Sequence, residues 1–336
     1  MTSGARLPAL TPHNLDEVPA ALAGGVVAVG NFDGMHRGHR VLLDRARAEA
    51  RRLAVPSVVL TFEPHPRTVF RPEPPVFRLT PLPAKARLLR ALGIDGLIVA
   101  RFDRAFSSIA AEAFVDEILV DRLKLKAAVV GFNFHFGKGR AGSPALLAEA
   151  GRRCGFAVIA IGEVAEDGGT SVSSTAIRED LALGDVATAN LRLGYRWFVV
   201  GEVVHGDRRG RELGFPTANI RLGADCRLRH GVYAVRLQRP DGGIHDGVAS
   251  YGRRPTFDDG APLLEVFLFD FSGDLYGEEV AVSFQAWIRP ELKFDSVGAL
   301  VAAMADDVKS ARAHLAAALP GSSLDNALEA PGRPFR

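Results

Sequence analysis

A chain of 336 residues is too long for one ordinary domain and fits two, because hydrophobic cores split beyond roughly 250–300 residues. Its composition, 47% hydrophobic and 24% charged, is that of a soluble globular protein, and no apolar run approaches the roughly 20 residues of a membrane span. With 41 Lys and Arg against 39 Asp and Glu, the net charge of +2 excludes a global field that would draw nucleic acid or acidic membrane, and leaves only local sites for small anions. The N-terminal stretch MTSGARLPALTPHNLDEVPA lacks the basic start, apolar centre and small-residue cleavage site of an export signal, so a cytoplasmic location is expected. Cys154 and Cys226 are too sparse for a disulfide framework or a cysteine-built zinc site.

Through the first half, short β-rich runs at 25–29, 57–62, 96–101, 127–131 and 157–161 alternate with helical patterns at 36–53, 83–92, 110–123, 144–153 and 174–183. Continuous apolar strands between amphipathic helices predict a doubly wound α/β domain with its parallel sheet covered on both faces. In the first helix Leu42, Ala46, Ala50 and Leu53 recur at three- and four-residue intervals and are the expected core face. After Gly184 the rhythm changes: runs at 197–204, 231–237, 245–251, 263–269 and 280–288 succeed one another with glycine-rich turns, which predicts a small antiparallel barrel or sandwich. A helical pattern at 297–319 comes after it. The expected domains are therefore 15–186 and 187–319, with the tail 320–336 expected to lack structure.

The stretch GNFDGMHRGH, residues 30–39, falls at the carboxyl end of the first parallel strand, where open α/β sheets bind ligands, and at the start of the next helix, where backbone N–H groups favour anions. His36 and His39 are three apart and can project from one side of the first turn, while Gly34 and Gly38 let a ligand approach the backbone. Two donors on one face suit a phosphate chain. A capped turn with two solvated histidines, or a metal pair lacking its third ligand, is the alternative for such a short motif.

Other stretches carry readings of their own. In TFEPHPRTVF (61–70) two prolines stiffen the exit of a strand, and Phe62 offers an aromatic face to a flat ring system or is simply core. In SVSSTAIRE (171–179) Ser174 and Thr175 sit at a helix start, and Arg178, one turn on, adds a positive fork able to reach phosphate oxygens. The glycines of GFNFHFGKGRAG (131–142) spell G-x-G-x-x-G, but five residues separate the strand from the first of them, which excludes a Rossmann turn. In GDRRGRELGFPTANI (206–220) Thr217 and Asn219 are two apart on an extended strand and offer a hydroxyl and an amide carbonyl to a hard cation, as Mg²⁺ on ATP would need. Gly206, Gly210 and Gly214, with Arg209 and Arg211 between them, form either a phosphate-covering flap or a hairpin loop with solvated arginines. Glu265 interrupts the apolar run LLEVFLF, where an acid is costly unless used or paired.

GNFDGMHRGH resembles the nucleotide-binding signature of adenylyl- and cytidylyltransferases related to class I aminoacyl-tRNA synthetases. Together with the three other blocks of the first half, and with GDRRGRELGFPTANI, GVYAV, RPTF and LEVFLFDFSGDLYGEEV in the second, it is similar in order and spacing to the bacterial bifunctional riboflavin kinase/FMN adenylyltransferases, or FAD synthetases, across roughly residues 15–318. The resemblance implies an N-terminal nucleotidyltransferase domain on a doubly wound parallel sheet and a C-terminal riboflavin kinase β-barrel with a C-terminal helix. It implies ATP and Mg²⁺ as cofactors, riboflavin, FMN and FAD as substrates or products, and neither nucleic acid nor membrane as a partner. His36, His39 and Arg178 would stabilise charge on the ATP phosphates, and Glu265 would be the general base of the kinase. Gly30, Asn31, Phe32, Asp33, Gly34, Phe62, Asn133, Ser174 and Thr175 would line the transferase site, Gly206, Gly210, Arg211 and Gly214 the kinase nucleotide site, and Thr217 and Asn219 would hold the metal.

Some positions depart from the family pattern: Ser250, Tyr251 and Arg253 stand where Asn, Ile and Thr are common, Asn133 replaces a frequent Asp and His135 a frequent Arg. Two rival readings are an adenylyltransferase for another phosphorylated metabolite with an inactive barrel, and a flavin-binding sensor. Glu265 with an intact PTAN argues against the first, and both histidines with Asn31 and Asp33 against the second.

Overall fold

The computed structural model describes residues 9–163, 173–206, 210, 213–253 and 262–330. Contacts divide the chain into two compact units, separated in sequence between Ser173 and Ser174.

The first unit contains β1 (Pro12–Asn14), β2 (Val26–Val29), α1 (Arg37–Leu53), β3 (Ser57–Glu63), α2 (Pro66–Phe70), α3 (Leu82–Ala91), β4 (Gly96–Arg101), α4 (Ala111–Ala113) with a π-helical continuation Phe114–Arg122, β5 (Ala127–Gly131), α5 (Pro144–Cys154) and β6 (Ala157–Ile161). The strands form one parallel sheet in the order β1-β4-β3-β2-β5-β6. All four residues of β2 are buried, as a sheet covered on both faces requires. From β2 the chain builds outward through β3 to β4 and then crosses back to lay β5 on the other side of β2. The strand order therefore reverses between β2 and β5, and the crevice at their carboxyl ends is where such a sheet binds ligands. The core face of α1 differs by one position from the expected one: Leu43, Ala46, Arg47 and Ala50 are buried, and Leu42 and Leu53 lie at its edges. The pair Leu42–Leu43 offers a leucine to either alignment, and burial selects the second.

The second unit contains α6 (Ser174–Leu183), α7 (Val186–Leu193), β7 (Phe198–Val204), β8 (Thr217–Arg221), β9 (Gly231–Gln238), β10 (Ile244–Arg253), β11 (Pro262–Leu268), β12 (Glu279–Arg289), α8 (Val297–Ala316) and α9 (Ser323–Glu329). Its strands close into a six-stranded barrel, β10-β11-β8-β7-β12-β9, with β9 pairing β10, so the barrel alternative holds. The pairings are antiparallel throughout. Alternation sends Tyr233 and Tyr251 to one face, fully buried, and Val232, Ala234 and Val248 to the other, where Ala311 and Leu315 of α8 cover them.

Two segments depart from the sequence expectation. The chain just past 186, where the expected domains meet, carries α7, capped by Asp185 on the Thr188 N–H and fastened to the barrel by Asn190, which donates to the Phe284 carbonyl and accepts from the Trp197 N–H. The tail expected to lack structure forms α9: Ser322 and Asp325 make a reciprocal capping box, Leu324 is 1% exposed, and Asp325 accepts from the Arg196 N–H. Its composition is polar, but one leucine and one capping pair give it a docking face. Among the described residues no helix is long and apolar enough to cross a membrane.

Candidate active sites

The loop that leaves β2 is held in an uncommon conformation. Phe32, Gly34 and Met35 all have positive φ (46°, 83° and 40°), and Phe32 and Met35 are fully buried. Non-glycine residues in that region cost of order 1–3 kcal/mol each and persist only where the surroundings over-determine them. Here the restraint comes from the segment before α3. The Asp33 carboxylate accepts from the Leu79 N–H (3.2 Å) and the Thr80 N–H (2.9 Å), and the Thr80 hydroxyl accepts from the Gly34 N–H at 2.9 Å. Asp33 is 4% exposed, so its carboxylate shapes the loop rather than facing outward.

His36 caps α1 with its backbone alone, making no side-chain cap bond. Its imidazole stacks on that of His39 with centroids 3.9 Å apart and planes 26° from parallel, and Phe32 meets His39 edge-on at 5.5 Å. The expected placement of both histidines on one side of the first turn is what the rings adopt. Gly38 makes room for it: a Cβ there would lie 3.3 Å from the His36 ring. A side chain at 38 would thus press on the stacked His36 ring, and Gly34, whose N–H is engaged by Thr80, adopts a positive φ. Both Nδ1 atoms are shielded from solvent and have no hydrogen-bond partner among the described residues. Burial first, then the Arg40 charge, lowers the pKa of His36 from 6.5 to about 4 despite the opposing pull of Asp33; burial, His36 and Lys85 hold His39 well below its ordinary value. At neutral pH the site therefore presents two neutral imidazoles in a positive surrounding, a pair of donors whose unmet polar atoms suit an anionic ligand.

Across the reversal point, the loop after β5 carries exposed Phe132 and Asn133, and closes through paired backbone bonds between Phe136 and Gly142. The G-x-G-x-x-G letters lie within this closed loop. Phe62 is 8% exposed, with Phe102 at 6.0 Å and Phe106 at 5.9 Å, which places its ring in the core rather than presenting a face. Gly30 bonds back to the Leu60 carbonyl, and Asn31 presents its carbonyl to β3 and α3. Ser174 and Thr175 open α6 and Arg178 lies one turn on, partly buried; by contacts this helix counts with the barrel, whereas the sequence pattern extends the first domain to 186.

In the barrel, strand register brings the second set together. Glu265 of β11 stands opposite Asn219 of β8 on one side and Ser250 of β10 on the other, and Phe267 stands opposite Thr217. Directly paired residues share a face, so Thr217, Asn219, Glu265 and Ser250 form one patch on the outer face, the face that α8 covers elsewhere. Gly206 packs against the Asn219 amide, where a Cβ would collide, and a Cβ on Gly210 would collide with the Phe215 carbonyl and lie 3.4 Å from Thr217 Oγ1. The glycines thus let their loop lie directly on the Thr217–Asn219 pair; Gly214, at φ 85°, turns it. Arg209 and Arg211 lie outside the described residues, as does the side chain of Arg253. Tyr251 is fully buried and points to the opposite face from Ser250. Among the described residues no cluster of three or more His, Cys, Asp or Glu side chains could hold a metal, so a cation here would rest on neutral oxygen donors and on the ligand's own phosphates.

Sequence reading missed Lys85, Thr61 and Thr80. Lys85 is 3% exposed, and its ammonium reaches the Asn31 carbonyl, the Thr61 hydroxyl and Glu63. The signal was present: Lys85 shares a helical face with Leu88, Leu89 and Leu92, all buried, and a lysine on such a face needs a partner.

Residues 18–176 match the family model described as FAD synthetase, and residues 193–315 the one described as riboflavin kinase. The chain is 41% identical over 300 residues to a protein of Escherichia coli (strain K12) named bifunctional riboflavin kinase/FMN adenylyltransferase, covering 89% of this chain and 95% of that one. It is 42% identical over 301 residues to a Haemophilus influenzae protein of the same name (90% and 96% covered), and 34% identical over 306 residues to one from Bacillus subtilis (89% and 95%). A crystal structure of a Streptococcus pneumoniae protein described as a macrolide-efflux protein superposes with a TM-score of 0.76 at 32% identity, covering 91% of this chain and 99% of that one.

Proposed function

The chain belongs to the bifunctional riboflavin kinase/FMN adenylyltransferase family, and from that premise we propose how its residues divide the two reactions. The enzyme phosphorylates riboflavin to FMN and adenylylates FMN to FAD, with ATP as the donor in both. Its functional domains are 15–186 and 187–319, so that α6, although packed with the barrel, serves the transferase. The match of the first family model to residues 18–176, three residues past the contact boundary, supports this division.

In the kinase, Glu265 accepts the proton of the ribityl 5′-hydroxyl as its oxygen attacks the γ-phosphorus of ATP, and ADP leaves. Thr217 and Asn219 would hold Mg²⁺, which when bound neutralises phosphate charge; the adjoining hydroxyl and amide oxygens are hard donors of the right kind. The loop of Gly206, Gly210, Arg211 and Gly214 covers the phosphates. In the transferase, a phosphate oxygen of FMN attacks the α-phosphorus of ATP, the bond to the β-phosphate bridge breaks, and pyrophosphate leaves. The nucleophile is already an anion and needs no base. His36 and His39, with Arg178, Ser174 and Thr175, stabilise the charge that develops on the phosphates, and Asn31 and Asn133 flank the crevice. Mg²⁺ and a cytoplasmic setting, where ATP is at hand, complete this reading.

The observation that carries it is the stacked, hydrogen-bond-deficient histidine pair at the point of strand reversal, in one unit, together with an acid in register with a cation-donor pair in the other. A transferase with an idle barrel, or a flavin sensor, is disfavoured by that second constellation and by the match of both family models. Incubation with riboflavin, ATP and Mg²⁺, followed by chromatographic separation of flavins, should yield FMN and then FAD with pyrophosphate; FMN without FAD, or no product at all, would overturn the assignment.

A further inference from the structure

Beneath the histidine-bearing loop lies a buried cation that the two reactions do not use directly. Lys85 Nζ lies 2.9 Å from the Asn31 carbonyl, 3.1 Å from Thr61 Oγ1 and 3.4 Å from Glu63 Oε1, and Thr61 itself donates to the same Asn31 carbonyl at 3.1 Å. Glu63 also faces Arg78 at 3.5 Å, so the ammonium is compensated from below while its strongest bond points up into the loop. Burying a lysine is costly even when paired, and a carbonyl at a strand exit needs only one N–H in an ordinary fold. Beyond that carbonyl the chain enters the run with positive φ at Phe32, Gly34 and Met35, ending at His36. Thr80 and Asp33 restrain its middle, and Lys85 its origin.

We propose that Lys85 is a positioning residue for adenylyl transfer: by holding the Asn31 carbonyl it fixes the backbone from which His36 and His39 are presented to the nucleotide. This rests on the reading of the histidines as charge-stabilising donors. Lys85 is only 3% exposed and its ammonium is engaged by the Asn31 carbonyl, Thr61 and Glu63, so its effect on the reaction passes through the loop and its histidines. A displacement of about 1 Å at such donors is enough to cost about 10²-fold in rate.

The test is a double-mutant cycle on FAD formation from FMN and ATP, using the full chain. Lys85→Met keeps the stem and removes the ammonium; Thr61→Val keeps the shape and removes the second hold on Asn31. Lys85→Met should lower kcat by about 10²-fold with a much smaller change in the KM for ATP, Thr61→Val should give a smaller loss of the same kind, and riboflavin phosphorylation should be unchanged in both. In a His39→Ala background either change should remove little further activity, because residues acting through one group are not additive. Scanning calorimetry separates a misfolded Lys85→Met from a folded, slow one, and Thr61→Val carries the test if the former does not fold. Full turnover in the folded variants, or equal fold-losses with and without His39, overturns the role of Lys85 while the histidine reading stands. If His39→Ala alone turns over normally, the histidine reading fails and the proposal with it.

Discussion

His36 and His39 stack with their ring centroids 3.9 Å apart, and the Nδ1 of each is buried without a hydrogen-bond partner among the described residues. Polar atoms left in that state are costly, and the nucleotide phosphates proposed to meet this pair would offset that cost. If the charge they meet develops as pyrophosphate leaves, His36→Ala and His39→Ala should each lower kcat for FAD formation by about 10²- to 10³-fold, more than they raise the KM for ATP. Steady-state kinetics with FMN and ATP checks it; a loss confined to KM would make them ground-state ligands.

The same burial makes a prediction about protons. His36 is lowered from 6.5 to about 4, so in the folded enzyme it stays neutral while its unfolded counterpart takes up a proton. The unfolded state then binds more protons, and the stability contributed is present above the ordinary histidine value and lost as pH falls from 6.5 toward about 4. Proton NMR of the imidazole Cε1–H should show no titration of His36 until near pH 4, and binding of a nucleoside triphosphate should move it upward. Titration at the ordinary histidine value without ligand would contradict the burial of this ring.

On the barrel, Thr217 and Asn219 share a face with Glu265 through the β8–β11 register. Thr217→Val and Asn219→Ala should therefore raise the Mg²⁺ concentration needed for half-maximal riboflavin phosphorylation, leaving the Mg²⁺ dependence of FAD formation from supplied FMN unchanged. Titration of both half-reactions with Mg²⁺ decides between a metal-holding pair and a structural one.

The docked tail contributes to the second unit's stability. Truncation after Leu319 removes a buried Leu324 and leaves the largely buried Arg196 side chain without the Asp325 carboxylate beside it. Losing about 2 kcal/mol from the leucine alone should lower the Tm of that unit by about 5 °C or more. Both tryptophans, Trp197 and Trp287, lie in this unit, so their fluorescence reports its unfolding. An unchanged transition would make α9 a passive appendage.

Much of this architecture was legible because one physical signal, a short continuous apolar run, marks the central strands β4 and β5 and the more exposed edge strand β6 alike. The runs at 96–101, 127–131 and 157–161 coincide with β4, β5 and β6 to the residue, since a continuous apolar segment bounded by turns has few ways to be cut. The helix α7 was equally readable, with Asp185 as cap, Val186, Ala189 and Leu193 as its buried face and Gly194 beyond its end, but it fell where the change of rhythm put the domain boundary. The π-helical bonding of Phe114–Arg122 was not legible, because its apolar residues read the same as those of an α-helix over 110–123. In the sites, the spacing of His36 and His39 was enough to put them together. The role of Asp33 was not legible, since its partners Leu79 and Thr80 are distant in sequence, and neither was the alignment of Ser250, Glu265 and Asn219, which depends on the register of three strands.

Two chemistries carried by two separate sets of residues should come apart on one substitution, Glu265→Gln. Glutamine keeps the shape of the side chain and removes the base, which should cost about 10²- to 10⁴-fold. Both half-reactions are measured on the same preparation by flavin chromatography: FMN formation from riboflavin, and FAD formation from supplied FMN. Separate sites require that the first collapses while the second proceeds at the unmodified rate. Loss of both in a folded variant, or retention of both, would contradict it.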